Sequence, residues 1–155
     1  MSNTDLRPKD SSLVISAGVP ISGFPSDFLD TLRSVSAPTI GAYEKGIDVF
    51  APSISYTPLS DTGNTGNRYL NNVCIYDVST IDTSLNMPRI YYKRLTDSNT
   101  YIDNTSLTNG WKFTSAVITS PDTFSFYIDY SKLFGGTGVS AGTYISYFIV
   151  AQDKY

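Results

Sequence analysis

Apolar and polar residues alternate strictly along Thr123–Tyr130, which reads Thr-Phe-Ser-Phe-Tyr-Ile-Asp-Tyr. A period of two puts Phe124, Phe126, Ile128 and Tyr130 on one face and Thr123, Ser125, Tyr127 and Asp129 on the other. That predicts a half-buried strand. Tyr144–Ala151 predicts a second strand, with Ile145, Tyr147, Ile149 and Ala151 facing inward. Its other face carries Tyr144, Phe148 and Val150, more apolar than a solvated outer face should be. Only Gln152–Tyr155 follow, so the pattern predicts an open strand edge, marked by Tyr144, Phe148 and Val150, that invites a partner strand. The extended apolar segment Ser11–Ile21, or a neighbouring subunit, is expected to supply it.

Further strands are predicted upstream. Ser53–Leu59 reads as an edge strand because Pro52 and Pro58 flank or interrupt it. Tyr69–Val78, Arg89–Leu95 and Trp111–Ile118 follow, with Tyr101–Asn104 as a short edge strand, all separated by Gly, Asn, Asp and Pro clusters. Ile75, Ile90, Trp111, Phe126, Ile128, Tyr147 and Ile149 are the expected core between two sheets. The pattern changes only near the start of the chain. There, Ser26 as N-cap and Asp27 in the first turn predict a short helix, Asp27–Val35, ended by Ala37-Pro38. It would group Phe28, Leu32 and Val35 beside Leu29. A helix this short is not stable alone. Its apolar side must dock on its own chain or on a neighbour.

Composition agrees with an all-β chain. It holds 12 Tyr and 8 Phe, one Glu (Glu44) and only 16 % charged residues. The net charge of −3 reads against a nucleic-acid partner, which calls for a basic footprint. With no histidine and a single cysteine, Ser-His-Asp and Cys-His machinery and thiolate zinc clusters are excluded. Cys74 sits in an apolar run and is expected to be a buried free thiol. The polar Met1–Asp10 segment reads as a docking tail, not a secretory leader, and no stretch approaches the length of a membrane span.

Few motifs suggest chemistry. Gly135-Gly136-Thr137-Gly138 lacks the Gly-Lys-Ser/Thr ending of a phosphate loop and reads as a strand connection. Asp77 and Asp82, with Thr80 between them, offer oxygen ligands to a calcium ion but lack the EF-hand glycine and glutamate, which favours a solvated loop. Asn104-Thr105-Ser106 matches a glycosylation sequon. Nothing singles out a carboxylate pair, so no enzyme and no cofactor is expected. Arg89, Tyr91 and Lys93 share one face of their strand and form a candidate ligand-contact face, able to stack on sugar rings or to pair with acidic groups. The plainer reading is a solvated sheet face.

Several blocks occur in order along about two thirds of the chain: Ala51-Pro52-Ser53-Ile54-Ser55-Tyr56-Thr57-Pro58-Leu59, Asn67-Arg68 with Leu70, Pro88-Arg89-Ile90-Tyr91-Tyr92-Lys93, Asn109-Gly110-Trp111-Lys112, Ile128-Asp129-Tyr130-Ser131 and Tyr147-Phe148-Ile149-Val150-Ala151-Gln152-Asp153. Together they resemble an immunoglobulin-like, fibronectin type III-like module common in secreted and surface proteins of Bacteroidetes bacteria. The resemblance implies an Ig-like β-sandwich over residues 49–155, behind an N-terminal extended and short-helical docking arm, residues 1–48. In that family the module is a spacer or adhesion domain, and a fold alone does not fix function. The family's module continues past Ala-Gln-Asp into a further strand. A free-standing module behind an arm looks like a bacteriophage head-decoration or fibre protein. The expectation is therefore a non-enzymatic virion-surface protein. It would be held to capsid or other structural subunits through Leu13, Ile15, Phe28, Leu29 and Leu32, with self-association as a further possibility. The alternative is a secreted bacterial adhesion or carbohydrate-binding module that meets a surface glycan.

Overall fold

The computed structural model describes residues 7–9, 11–45, 51–77 and 80–154. Most of the expected N-terminal tail, the 48/49 boundary and the end of the second predicted strand at Val78 lie outside the described residues. The chain divides into two compact units, Met1–Val49 and Phe50–Tyr155.

The second unit is built from two antiparallel sheets. Its strands are β1 (Ser53–Ser55), β2 (Arg68–Tyr76), β3 (Arg89–Arg94), β4 (Lys112–Ser115), β5 (Val117–Ser120), β6 (Thr123–Ile128) and β7 (Ile145–Val150). One sheet runs β1-β2-β6-β5 and the other β4-β3-β7. The alternation of β6 holds throughout, and Phe124, Phe126, Ile128 and Tyr130 are all buried. They join Leu70, Val73 and Ile75 of β2 and Ile90 and Tyr92 of β3 in one cluster shared by both sheets. Ile145, Tyr147, Ile149 and Ala151 pack against its margin. Hydrogen bonds also run between the two halves of the unit. The Tyr92 hydroxyl donates to the Asp129 carbonyl at 3.0 Å, and the Thr114 hydroxyl to that of Tyr127. Burial pushes the Tyr92 phenol well above its ordinary pKa, so it stays a neutral donor.

Four sequence expectations are corrected in this unit. Cys74 is exposed, not buried. A bulge lies between Leu70 and Val73, where two residues of β2 face one of β6, and Asn72 adopts φ +57°. The extra residue reverses the parity of the strand, so Val73 and Ile75 turn inward and Cys74 outward. The predicted strand Trp111–Ile118 is two strands in different sheets, separated by the buried Ala116. Tyr101–Asn104 forms no strand. Trp111 is not in the core between the sheets but packs against Phe148 of β7, ring centres 4.8 Å apart.

The first unit contains no helix among its described residues, so the predicted helix Asp27–Val35 is also corrected. Asp27 organises a loop instead. Its Oδ1 accepts from the N–H groups of Leu29 (2.7 Å) and Thr31 (2.9 Å), and its Oδ2 from that of Glu44 (2.7 Å). Ser26 bridges to Leu32 as a single β-pair and does not cap a helix. A carboxylate that can reach several turn N–H groups competes with the helix it was expected to start. Arg33 closes the loop by donating to the carbonyls of Ser26, Thr39 and Gly41 and to Glu44. Ser11–Ile21 is turn-rich rather than extended. It is tied within its own unit by Gly18 N–H to Pro38 O (2.8 Å) and Ile40 N–H to Val14 O (2.9 Å).

Candidate functional site

The outer face of β4-β3-β7 carries a row of aromatic rings fixed by strand register. Tyr91 of β3 lies opposite Phe113 of β4 and Phe148 of β7. Its ring centre is 5.5 Å from that of Phe113 and 5.2 Å from that of Phe148, which it meets at only 8°. Tyr101 closes one end of the row, edge-on to Tyr91 at 5.9 Å. Neighbouring rings on adjacent strands can be parallel at such a spacing only by overlapping their faces. Tyr91 and Phe148 therefore overlap, whereas Phe113 and Tyr101 meet Tyr91 at an angle.

The charged residues of this face are held by the same cluster. The Arg89 guanidinium lies 4.6 Å from the centre of the Phe113 ring, and its buried Nε has no hydrogen-bond partner. Lys93 is buried. Its ammonium donates to the carbonyls of Arg94 (3.2 Å), Leu95 (3.4 Å) and Asp97 (2.9 Å) and lies 5.3 Å from the centre of the Trp111 ring. Arg89, Tyr91 and Lys93 thus share a face, with the Lys93 amine committed to its own turn. Sequence reasoning missed that Phe113, Trp111 and Tyr101 join them. The period-two pattern of Trp111–Thr114 held that signal, but it does not say which face is inside.

Phe148 and Val150 belong to this same outer face, beside Tyr91 and Arg89 in the register. They are 42 % and 47 % exposed, and Tyr144, just before the strand, is exposed as well. The expected ligand-contact face and the expected open edge are therefore one continuous surface. Among the described residues, β7 has a single strand neighbour, β3.

In the first unit, Leu13, Phe28, Leu29 and Leu32 are exposed and Ile15 is half-buried. Phe28 and Leu32 line an open groove of about 1030 Å³ together with Val19, Ile21, Phe24 and Val35. Leu13, Ile15 and Leu29 lie outside it. At its floor, Asp27 is held below the usual carboxylate range. Burial opposes its charge most strongly, but the N–H groups of Glu44, Thr31 and Leu29 together outweigh it.

The other candidate chemistry is absorbed by structure. Asp82 accepts from the N–H groups of Ser84, Leu85 and Asn86, from the Ser84 hydroxyl and from the Asn86 amide. These donors, the backbone groups of Ser84 and Leu85 foremost, hold its pKa far below the ordinary value. Asp82 is buried and its oxygens accept from its own loop, so the loop is not the solvated one expected in place of a calcium site. No group of three or more His, Cys, Asp or Glu able to hold a metal occurs among the described residues. The Asn104 amide pairs in both directions with the backbone of Phe113, so the sequon asparagine acts as an extra strand rung. No helix among the described residues is long and apolar enough to cross a membrane. Comparison with protein-family models, curated proteins and solved structures finds no match.

Proposed function

We propose that this chain is a non-enzymatic structural protein of a virion surface, docked to shell subunits by its N-terminal unit and displaying an Ig-like, fibronectin type III-like β-sandwich. The observation that carries the docking role is the apolar surface of the first unit. Leu13, Val19, Ile21, Phe24, Phe28, Leu29, Leu32 and Val35 are all more than half exposed there. Apolar surface gathered around one groove marks a protein interaction site, and buried aromatic and aliphatic anchors dominate such interfaces. The strand order β1-β2-β6-β5 and β4-β3-β7 supports the sandwich assignment. The four-strand order β1-β2-β6-β5 parallels the A-B-E-D sheet of an immunoglobulin-type domain, with β3 and β7 in the places of C and F. No cofactor is needed for this role.

Binding of the full-length chain to purified shells that lack it tests the reading. The unmodified protein should bind at a fixed ratio of copies per shell. A Phe28→Asp, Leu32→Asp variant should not bind, while the unfolding midpoint of residues 50–155 stays unchanged. Binding that survives the double substitution refutes the docking role. Capture by a glycan surface, without shell binding, would favour a secreted adhesion module. The outer-face rings support that second reading less, because Tyr91 and Phe148 stack on each other and Phe113 and Tyr101 are tilted out of their plane, which leaves no flat platform for a sugar.

A further inference from the structure

A sheet edge is a row of unpaired N–H and C=O groups, and proteins usually blunt it. Three of the four edges here are blunted. β1 is three residues long and lies between Pro52 and Pro58. β5 is four residues long, irregular in register and followed directly by Pro121. The outer side of β4 is occupied, with Trp111 N–H donating to Thr100 O at 2.9 Å and the Phe113 backbone pairing with the Asn104 amide. β7 differs. It is six residues long, Ile-Ser-Tyr-Phe-Ile-Val, with no charge, proline or register irregularity.

The register says which groups it offers. Leu95 N–H donates to Tyr144 O, next to the pair Arg94 and Ile145. Hydrogen-bonded and non-hydrogen-bonded pairs alternate in an antiparallel ladder. Ser146, Phe148 and Val150 therefore turn their backbone groups toward β3. Ile145, Tyr147 and Ile149 turn theirs to the free side, and no described residue is bonded to them. The side chains of these last three face inward, where they are only half-buried.

We propose that a second copy of this chain pairs antiparallel with the first along β7, about a two-fold axis at Phe148. Opposed residues of an antiparallel pair must lie on the same face of the sheet, and this register satisfies that throughout. Tyr147 meets the partner's Ile149 and Ile145 the partner's Ala151, each through outward-pointing backbone groups. Phe148 meets the partner's Phe148 as a non-hydrogen-bonded pair, the geometry that brings side chains closest. The row Phe113, Tyr91, Phe148 then runs on into its copy across a six-stranded sheet. The competing register about Tyr147 would set Phe148 against Ser146 and break the row. The edge is suited to a copy of itself because residues 144–152 carry no charge, so no like charges meet. An isologous contact of this kind closes at two subunits. The inference goes beyond the docking role and does not depend on it, since its test involves no shell.

The test uses the full-length chain in a Cys74→Ser background, which removes the one native thiol. Sedimentation should give a dimer that dissociates on dilution. Phe148→Cys should form an intermolecular disulfide under mild oxidation, whereas Val150→Cys, which faces the partner's Ser146, should not link to itself. Val150→Lys places a charge on an exposed edge position and should raise the dimer Kd by at least about tenfold, with an unchanged melting midpoint at dilutions where both proteins are monomeric. Amides of Tyr147 and Ile149 should lose protection on dilution. A monomer at every concentration overturns the proposal, whether those amides exchange fast or are protected by a segment of the same chain. A dimer that survives Val150→Lys and fails to link through Phe148→Cys overturns it too, by placing the contact elsewhere.

Discussion

Phe126→Ala measures the core that both sheets share. Phe126 is fully buried and lies opposite Leu70 in the β2–β6 ladder, on the one face of β6 that is wholly inside. Replacing the ring by a methyl group withdraws on the order of 130 Å² of apolar area, roughly 3 kcal/mol at about 25 cal/mol per Å². The cavity left behind raises the cost to about 3–5 kcal/mol. A small domain holds only about 5–15 kcal/mol in total, so the loss is a large part of its stability. Urea unfolding followed by tryptophan fluorescence is the suitable assay. The single tryptophan, Trp111, lies in the second unit, so the signal reports on that unit. The urea midpoint should fall at unchanged m-value, and in a thermal melt followed by the same fluorescence the melting midpoint should fall by more than about 12 °C, since each kcal/mol moves a domain of this size by about 4–8 °C. Ile118→Ala is the control. Ile118 sits in β5, paired with the same β6, but is 51 % exposed, and its loss should cost less than about 0.5 kcal/mol. Equal effects of the two substitutions would refute the assignment of inner and outer faces.

Two further outcomes follow from hydrogen-bonded charges. The folded-state pKa of Asp82 is depressed, so its stabilising contribution is present above the unfolded value of about 3.9 and lost as pH falls through the folded value. The unfolding midpoint of the second unit should therefore drop below about pH 4, and Asp82→Asn should flatten that acid limb. Asp103, also depressed by the Thr108 hydroxyl and the Thr105 N–H, keeps part of the slope. In the first unit, Arg33→Ala removes donors to three carbonyls and Glu44, and amide exchange over residues 26–44 should accelerate by about tenfold or more. Unchanged exchange would show that the loop is held without Arg33, by Asp27 and by the Thr39–Glu44 hydrogen bonds.

Strands with unbroken alternation and a single inner face were legible in the sequence. β6 appears at its predicted start with its predicted face buried, and β3 follows with Ile90 and Tyr92 inside, whereas Tyr147 and Ile149 of β7, expected in the core, are only half-buried at its margin. The first unit was not legible, because its order comes from hydrogen bonds made at a distance along the chain. Asp27 reaches Glu44, 17 residues on, and Arg33 reaches Gly41 and Glu44. A local pattern of one capping serine, one aspartate and apolar residues at helical spacing cannot register those partners. Propensity for a short helix is weak beside three satisfied N–H groups on one carboxylate.

The remaining errors share one cause: period two fixes which residues share a face, but not which face is inside. The sequence of β2 gives no apolar signal that its parity reverses at Asn71-Asn72. The two asparagines, residues that tolerate φ above zero, were the available clue. Cys74 and Trp111 were assigned inward from their apolar surroundings, and both lie on outer faces. In β4 the polar Lys112 is the inward residue, opposite Tyr92. Its buried ammonium donates to the Asp103 carbonyl and the Thr108 hydroxyl, and burial lowers its pKa despite the nearby Asp103 and Asp97 carboxylates. With Phe113 turned out beside Tyr91 and Phe148, the three-stranded sheet carries an aromatic row on its outer face as well as Ile90 and Tyr92 on its inner one. A sheet that is solvated on one side does not need aromatic rings there. The outer row of Phe113, Tyr91 and Phe148 ends at the one unblunted edge of the unit. That coincidence of an apolar outer row with an open strand, among the described residues, is the ground for proposing a partner at the β7 edge.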